Sequence, residues 1–290
     1  MKIKSTTGKI GDWVFVIICV LISLICILPM INLLARSLSG TDYLVRHEIY
    51  LIPKGINFGA YSTVLSDPKY IRAFFYTVAL TVISTVVSLF MTTICAYPLI
   101  FPQLRGRNIF NIIITITMFF NAGTIPNYLL IQKLGMLDKP IVLILPYCLS
   151  IYNMIIMRSF FYGIPDSLRE SAEMDGASFL RILWSIYVPL SKPVMATLAL
   201  FYAVGRWNGY SDALMYVKKP QYYPLQLLLY NILNNINSVE VATQEGFSAP
   251  GLSESLKAAI VMFSTIPILC IYPFLQKYFI HGVMVGAVKE

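Results

Sequence analysis

The chain is organised around one charged stretch between two apolar runs, residues 164–193, which read IPDSLRESAEMDGASFLRILWSIYVPLSKP. Ser167 followed by Glu170 has the spacing of a helix N-terminal capping box, so we expect a short helix to begin here. Gly176 can adopt a left-handed backbone that ends this helix, and a second short helix continues until Pro189 stops it. The stretch therefore predicts two short helices joined at a glycine, a compact element suited to docking on a partner.

The composition is that of a membrane protein. Of the 290 residues, 57% are hydrophobic and only 12% are charged, and the mean hydropathy is +0.71. Soluble domains carry about 25% charged residues. The net charge of +8 is not gathered into a basic stripe, which argues against nucleic-acid binding. The five cysteines lie in apolar runs without metal-ligand spacing, so neither a disulfide framework nor a metal site is expected.

Six apolar runs approach the ~20 residues that a membrane-spanning helix needs. They lie at 13–34, 75–98, from 108 onward, 141–157, 194 to about 216, and 258–278. The sequence therefore predicts an all-α integral membrane protein with a six-span domain at 13–280, a short N-terminus at 1–12 and a tail at 281–290. A long polar loop is expected at 217–256. Basic residues are spread almost evenly, and they favour cytoplasmic ends only slightly.

The third apolar run becomes more polar at its end, in the stretch NAGTIPNYLL, where Pro126 predicts a bend. Irregular backbone at membrane depth occurs where it lines a cavity or is buried in protein. Asn121, Asn127 and Tyr128 are therefore candidate pathway residues. The alternative is an ordinary helix end at the membrane interface.

The fifth apolar run contains a charge, Arg206, next to Trp207 and Asn208 and close to Tyr210. A charge inside a span is costly and usually faces protein or water, so these four residues are also candidates for a polar pathway. The alternative is that the arginine extends to the interface from a helix end.

The motifs resemble those of carbohydrate ABC-importer permeases. Glu170, Ser171 and Ala172 are followed after three residues by Gly176 and, after nine further residues, by Ile-Tyr-Val-Pro at 186–189. This pattern resembles the EAA loop of these permeases, with serine and valine as departures. The stretches NAGTIPNYLLIQKLGMLDK and RWNGYSDA and the terminal GAVKE extend the resemblance over most of the chain. The chain is similar to MalG-like permeases, and in particular to the LplC/YtcP group, which is associated with complex saccharides.

The resemblance implies a type I (MetI-like) permease fold in the bacterial cytoplasmic membrane, with both termini cytoplasmic. It implies a heterodimer with a second permease, two ATPase subunits or a homodimeric ATPase, and an extracytoplasmic solute-binding protein. This chain would carry no cofactor, whereas ATP and Mg would bind the ATPase. The coupling loop, residues 164–193, would dock on the ATPase through Glu170, Ser171, Ala172, Glu173, Asp175, Gly176, Arg181 and Pro189.

The resemblance also implies a saccharide pathway and a tail that extends toward the ATPase. Sugar recognition uses aromatic faces together with a few amide or hydroxyl groups. Beside the candidates above, Tyr152 and Asn153 have the required chemistry. The tail residues expected to extend toward the ATPase are Gly286, Ala287, Val288 and Lys289.

The sequence leaves three alternatives open. A permease for another solute, such as an amino acid or peptide, would share the loop but not the sugar-type tail. An intramembrane enzyme would need a nucleophile and base or metal ligands, yet H-E-x-x-H and G-x-S-x-G are absent, and both histidines, His47 and His281, lie outside the predicted spans. A structural scaffold would leave the EAA-like spacing unexplained. The sequence has no Walker A motif, so a partner would hydrolyse ATP.

Overall fold

The computed structural model describes residues 6–242 and 254–271, with side chains for 12–234 and 254–271. All regular secondary structure in these ranges is helical, as predicted. The α-helices are α1 (Thr6–Ser37), α2 (Thr41–Val45), α3 (Gly59–Ser66), α4 (Pro68–Ala96), α5 (Arg107–Phe119), α6 (Thr124–Lys133), α7 (Ile151–Phe161), α8 (Asp166–Met174), α9 (Phe179–Ile182), α10 (Val188–Leu190), α11 (Lys192–Asn208), α12 (Ser211–Tyr216), α13 (Leu225–Ala242) and α14 (Glu254–Ile271). Short 3-10 turns lie at Pro98–Ile100, Pro140–Leu143, Leu145–Tyr147 and Pro220–Tyr222, and a π-turn lies at Leu183–Tyr187.

The membrane-spanning segments are of two kinds. Three are continuous apolar helices, at Asp12–Ser37, Pro68–Ile100 and Glu254–Ile271. Three others are bent pairs: α5 with α6 at 113°, the Pro140–Tyr147 turns with α7 at 49°, and Phe179–Leu190 with α11 at 82°. Counting each bent pair as one span gives six. The second span begins at Pro68, earlier than the sequence indicated, because proline is well suited to a first helical turn.

The described residues divide into two compact units, the first comprising 6–71, 229–242 and 254–266. The most apolar stretch of its α1 span has no buried residue, as expected of a surface for lipid or another chain. At the C-terminal end of α1, Ala35 forms a small core with Leu44 and Ile49. Arg36 Nη2 donates to Glu254 Oε2 at 2.6 Å, which joins the end of α1 to the start of α14.

The second unit comprises 72–228 and 267–271 and has two apolar cores. One core joins the ends of α4 and α7 to the coupling loop and α11, through Tyr97, Met157, Phe161, Leu183, Tyr187 and Leu198. The other joins α4, α6, the Pro140–Leu143 turn and α12, through Leu80, Ile131, Val142, Leu143 and Tyr216. The coupling loop and the broken spans are thus each attached to a packed core.

The coupling loop contains the two predicted short helices, but its capping differs from the prediction. Pro165 is the N-cap of α8 and no side-chain cap bond forms there, so the predicted capping box is wrong. Ser178 caps the second helix instead, accepting from Arg181 N at 3.4 Å. Pro189 also does not stop the second helix, which continues to Leu190. The π-turn before Pro189 accounts for this, because such a turn locally rearranges the helical bonding that a proline disrupts.

Two other segments depart from the sequence prediction. The break in the third span lies at 120–123, before Pro126, which sits in the first turn of α6 where proline is tolerated. The polar segment 217–256 is not simply a loop, because α13 occupies Leu225–Ala242. The proposed tail residues lie outside the described part of the chain.

Candidate functional site: a polar cavity and a coupling loop

A buried ion pair lies where the fifth span breaks. The side chains of Arg206 and Asp212 are 6% and 10% exposed, and the two groups form a forked pair at 2.5 and 3.0 Å. The guanidinium also donates to the carbonyl oxygens of Leu143, at 2.9 Å, and Gly209, at 3.2 Å. A Cβ at Gly209 would lie 2.6 Å from Arg206 Nη2, so glycine is what permits this close approach. The pair fastens α11 to α12 and to the broken fourth span.

The pair forms part of the wall of a cavity of about 590 Å³, which we call the polar cavity. Its lining combines aromatic rings, hydroxyl groups and one amide with this single ion pair. The lining residues are Ser84, Tyr147, Ser150, Tyr152, Asn153, Phe201, Tyr202, Gly205, Arg206, Gly209, Ser211 and Asp212. They come from α4, from the break before α7 and the first turn of α7, and from α11, the break that follows it and the first turn of α12. All lie within the second unit.

Tyr202 links three of these elements through its hydroxyl group. That hydroxyl lies 2.7 Å from Thr92 Oγ1 on α4 and accepts from the backbone N–H of Ser150 at 3.1 Å. Ser150 in turn is the N-cap of α7 and accepts from Asn153 N at 3.4 Å. The wall of the cavity is therefore held by hydrogen bonds at both broken spans.

The structure brings three of the nine predicted pathway residues into this lining, namely Tyr152, Asn153 and Arg206. Trp207 lies elsewhere: it is 6% exposed, its ring meets Phe74 edge-on at 6.1 Å, and it borders a small apolar cavity of about 60 Å³. Its geometry is that of a packing residue.

The other predicted pathway residues also lie away from the cavity lining. Asn208 ends α11 with an exposed side chain, and Tyr210, 40% exposed, precedes α12. Asn121 Oδ1 accepts from Gly123 N at 2.9 Å and from Asn127 Nδ2 at 3.3 Å, which stabilises the break between α5 and α6. Tyr128 stacks on Tyr216 at 6.0 Å.

Several lining residues were not predicted. Phe201, Tyr202 and Gly205 share a helix face with Arg206, and their three- and four-residue spacing was a usable signal. Asp212 lies six residues beyond the arginine across a glycine, and continuing the helix through that glycine would place it on another face. Ser84 and Tyr147 carry no sequence signal of this kind.

The coupling loop presents most of its predicted docking residues to the surface. Seven of the eight are exposed, namely Glu170, Ser171, Glu173, Asp175, Gly176, Arg181 and Pro189. Ala172 instead packs against the first core. With Asp166, α8 and its cap carry four carboxyl groups, which gives this surface an acidic character.

Gly176 ends α8 as predicted. Its φ is +76°, the left-handed region. Its N–H donates to Glu173 O at 3.0 Å and the N–H of Ala177 donates to Ala172 O at 2.9 Å, the two bonds of a Schellman motif. A Cβ at Gly176 would meet nothing within 4 Å, so the glycine is needed for its backbone and not for space. Within the described residues no group of histidine, cysteine or acidic side chains has the geometry to hold a metal.

The comparison with protein families defines the class. The family described as "Binding-protein-dependent transport system inner membrane component" matches residues 55–285. The chain belongs to this family. It is a membrane-spanning transport permease subunit and not an enzyme, which sets aside the intramembrane-enzyme and scaffold alternatives and confirms the predicted fold class.

Individual relatives agree with the predicted group. Protein LplC of Bacillus subtilis is 37% identical over 288 residues, covering 99% of this chain and 97% of its own length. The polygalacturonan/rhamnogalacturonan transport system permease protein YtcP of the same organism is 38% identical, covering 92% and 94%. A crystal structure of a bacterial ABC transporter involved in the import of the acidic polysaccharide alginate matches with TM-score 0.86 and 34% identity, covering 96% of this chain and all of that one.

Proposed function

We propose that this chain forms one half of the passage of an ATP-driven importer of oligosaccharides derived from complex polysaccharides. The observation that carries the proposal is the lining of the polar cavity. Tyr147, Tyr152 and Tyr202 supply rings and hydroxyl groups, and Asn153 supplies an amide, inside an otherwise helical membrane wall. Aromatic faces with a few oriented polar groups are what a saccharide requires. The substrates named for the relatives YtcP and the alginate transporter support the same class.

The remaining parts of the importer lie on other chains. The family name states dependence on a binding protein, which would deliver the saccharide from outside. A second permease would complete the passage, and two ATPase subunits or a homodimeric ATPase would bind ATP and Mg. Alternating access would then follow from rigid-body motion between two discrete packings when the ATPase closes.

The coupling loop is the proposed docking surface for the ATPase. Its exposed acidic residues include Glu170, Glu173 and Asp175, while Met174 beside them is 88% exposed. An apolar tip surrounded by charge on a rigid Schellman-capped helix fits a groove on a soluble partner. Arg181 and Pro189, on the second helix, would lie at the edge of this surface.

The topology follows from this docking. If the coupling loop is cytoplasmic, an even number of spans places residues 1–12 and 281–290 on the cytoplasmic side. Residues 217–256 then face outward, toward the binding protein. The tail residues 286–289 are proposed to extend toward the ATPase.

The test is to tag the chain, purify it gently from its native membrane and identify what accompanies it. We expect a second permease and an ATPase, with ATP hydrolysis stimulated by the binding protein loaded from a panel of neutral and acidic oligosaccharides. Stimulation only by amino acids or peptides would replace the saccharide assignment. Purification of the chain without an ATPase would contradict the importer architecture.

A matched pair of variants tests the cavity itself. Tyr152→Ala, which removes a half-exposed ring from the cavity lining, is expected to lower uptake at least about fivefold, the loss that corresponds to a contact residue worth more than about 1 kcal/mol. Tyr50→Ala removes a tyrosine that is 75% exposed in the first unit and serves as the control. Equal uptake by the two variants would exclude Tyr152 from the pathway.

A further inference from the structure

One basic side chain of α8 points inward while the acidic side chains around it point outward. The side chain of Arg169 is 12% exposed, whereas those of Asp166 and Glu170 are 78% and 66% exposed. The predicted docking set did not include this arginine. Because it is buried on an otherwise exposed amphipathic helix, we expect it to contact a side chain on the membrane side of α8.

The carboxylates of α8 fix the position of the guanidinium. Arg169 Nη1 donates to Glu173 Oε1 at 2.9 Å and Nη2 donates to Asp166 Oδ1 at 3.4 Å, while Glu170 Oε1 lies 3.6 Å away. Ion pairs with exposed carboxylates contribute little to stability. Three carboxylates that approach one planar guanidinium from different directions nevertheless restrict the orientation of that guanidinium.

The partner on the membrane side is an aromatic ring. Arg169 Cζ lies 5.7 Å from the ring centre of Phe101, within the range of a cation–π contact. Phe101 directly follows the Pro98–Ile100 turn at the end of the second span. Its ring also meets Tyr97 edge-on at 4.9 Å and Phe179 at 5.5 Å. One ring thus contacts the second span and both helices of the coupling loop.

Open space surrounds this contact. A groove of about 570 Å³ lies between the end of the second span and the coupling loop, lined by Tyr97, Pro98, Phe101, Gln103, Leu104, Arg169, Glu173, Phe179 and Leu180. The side chain of Arg169 crosses into this groove from α8. Ala172, which also faces inward from α8, contributes only a methyl group to the core. Arg169 is therefore the longer of the two α8 side chains that face inward.

We propose that Arg169 is a positioning residue that couples movement of α8 to the second span through Phe101. The proposal rests on the proposed docking of the ATPase on the coupling loop. Because the outward carboxylates and Gly176 form the docking surface, loss of Arg169 leaves that surface in place. The ATPase still binds, but its closure is transmitted poorly to the membrane.

The experiment uses the purified complex with its ATPase and reads movement of the polar cavity without needing the substrate. Ser211, an exposed residue of the cavity lining, is replaced by cysteine in a background lacking the five native cysteines. The rate of labelling by a water-soluble maleimide is measured with and without ATP and vanadate. In this Ser211→Cys parent we expect trapping of the closed ATPase to change the rate.

Arg169→Gln is expected to retain the ATPase in the complex but to reduce the trapping-dependent change roughly fivefold or more, the lower end of ordinary coupling factors. Arg169→Lys, which keeps the charge, is expected to restore part of the change. Arg105→Gln, an exposed arginine of the connection after the second span, serves as the matched control and should behave as the parent.

The two proposals fail in different ways. A parent complex without an ATPase, or without a trapping-dependent change, refutes the docking on which the inference rests. A full change in Arg169→Gln refutes the positioning role alone. Loss of the ATPase from both Arg169→Gln and Arg169→Lys would show that the residue maintains the docking surface, which also overturns the inference.

Discussion

Replacing Asp212 by asparagine tests whether the ion pair at the end of α11 stabilises the broken fifth span. The substitution keeps the shape of the side chain but leaves the charge of Arg206 without its partner. Both side chains are nearly buried, at 6% and 10% exposure. Removing one member of a buried pair costs about 3–5 kcal/mol, because the remaining charge is left uncompensated. By contrast, an exposed pair contributes about 0–1 kcal/mol.

The assay is thermal unfolding of the purified chain or complex in one fixed detergent. At about 2–4 °C per kcal/mol, the value for soluble domains of about this size, Asp212→Asn should lower the midpoint by roughly 10 °C. The control is Glu48→Gln, which breaks an exposed pair with Lys54 at 3.2 Å and should change the midpoint by no more than about 4 °C. An equally small change for Asp212→Asn would refute the stabilising role of the pair.

A double variant separates the charge from the hydrogen bonds. Buried ion pairs elsewhere can often be replaced by apolar residues without loss. Here Arg206→Leu with Asp212→Leu would also leave the carbonyl groups of Leu143 and Gly209 without the donor that they have in the structure. Each buried unsatisfied group costs about 1–3 kcal/mol, so the double variant should remain less stable than the parent. If the double variant were as stable as the parent, these two hydrogen bonds would contribute nothing to stability.

Three further perturbations have defined outcomes. Trp207→Ala should cost about 3–5 kcal/mol as a large core truncation, so uptake and complex assembly should fall together, and a selective loss of uptake would contradict its packing role. Gly176→Val forces a branched side chain into the left-handed region at a cost of about 1–2 kcal/mol and should weaken co-purification of the ATPase, whereas Gly176→Asn should retain it. If the two variants co-purified the ATPase equally well, the left-handed backbone of Gly176 would not be what docking requires. Backbone N–H donation, chiefly from Lys218, lowers the pKa of the Asp138 carboxyl. The stability advantage over Asp138→Asn should therefore be present above about pH 3.9 and decline as pH falls toward the lowered pKa, and the same dependence of stability on acidic pH in the two proteins would refute this assignment.

The number of spans and the two short helices of the coupling loop were predictable because both depend on local sequence patterns. A run of some twenty apolar residues is sufficient to indicate a span, and Gly176 indicated the end of α8 from its freedom to adopt a positive φ. The capping of α8 was not predictable in the same way. Ser167 had the right spacing, but Pro165 occupies the cap position, and the helix begins at Asp166, two residues before the start that a Ser167 cap would give.

The breaks in the spans were harder to place because hydropathy does not report backbone direction. In the third span Pro126 was the visible signal, yet the chain turns three residues earlier. Gly123 adopts φ +92° there, and its N–H is bonded to the side chain of Asn121. The proline only completes the first turn of α6. A glycine and an asparagine thus determine the break, and neither is conspicuous in an apolar run.

The polar cavity depended on contacts that no local pattern contains. Arg206 was identified as a costly charge with a possible polar role, but its partners are Asp212, across a break, and Leu143, 63 residues away in the chain. Trp207, its neighbour, has an aromatic ring of the kind that binds sugars, but it lies about 100° around the helix and meets Phe74. The residue types were therefore informative, whereas their directions required the tertiary structure.

The arginine and the broken spans are best understood as one arrangement. Breaking a helix at membrane depth leaves carbonyl groups without intrahelical donors, and such groups are costly where water is excluded. The fourth span contributes Leu143 O and the fifth contributes Gly209 O, and a single guanidinium donates to both. Because that guanidinium must be charged, Asp212 is needed to neutralise it. The cavity lies where these broken ends meet, so the breaks that open the cavity are the same ones that make the ion pair necessary.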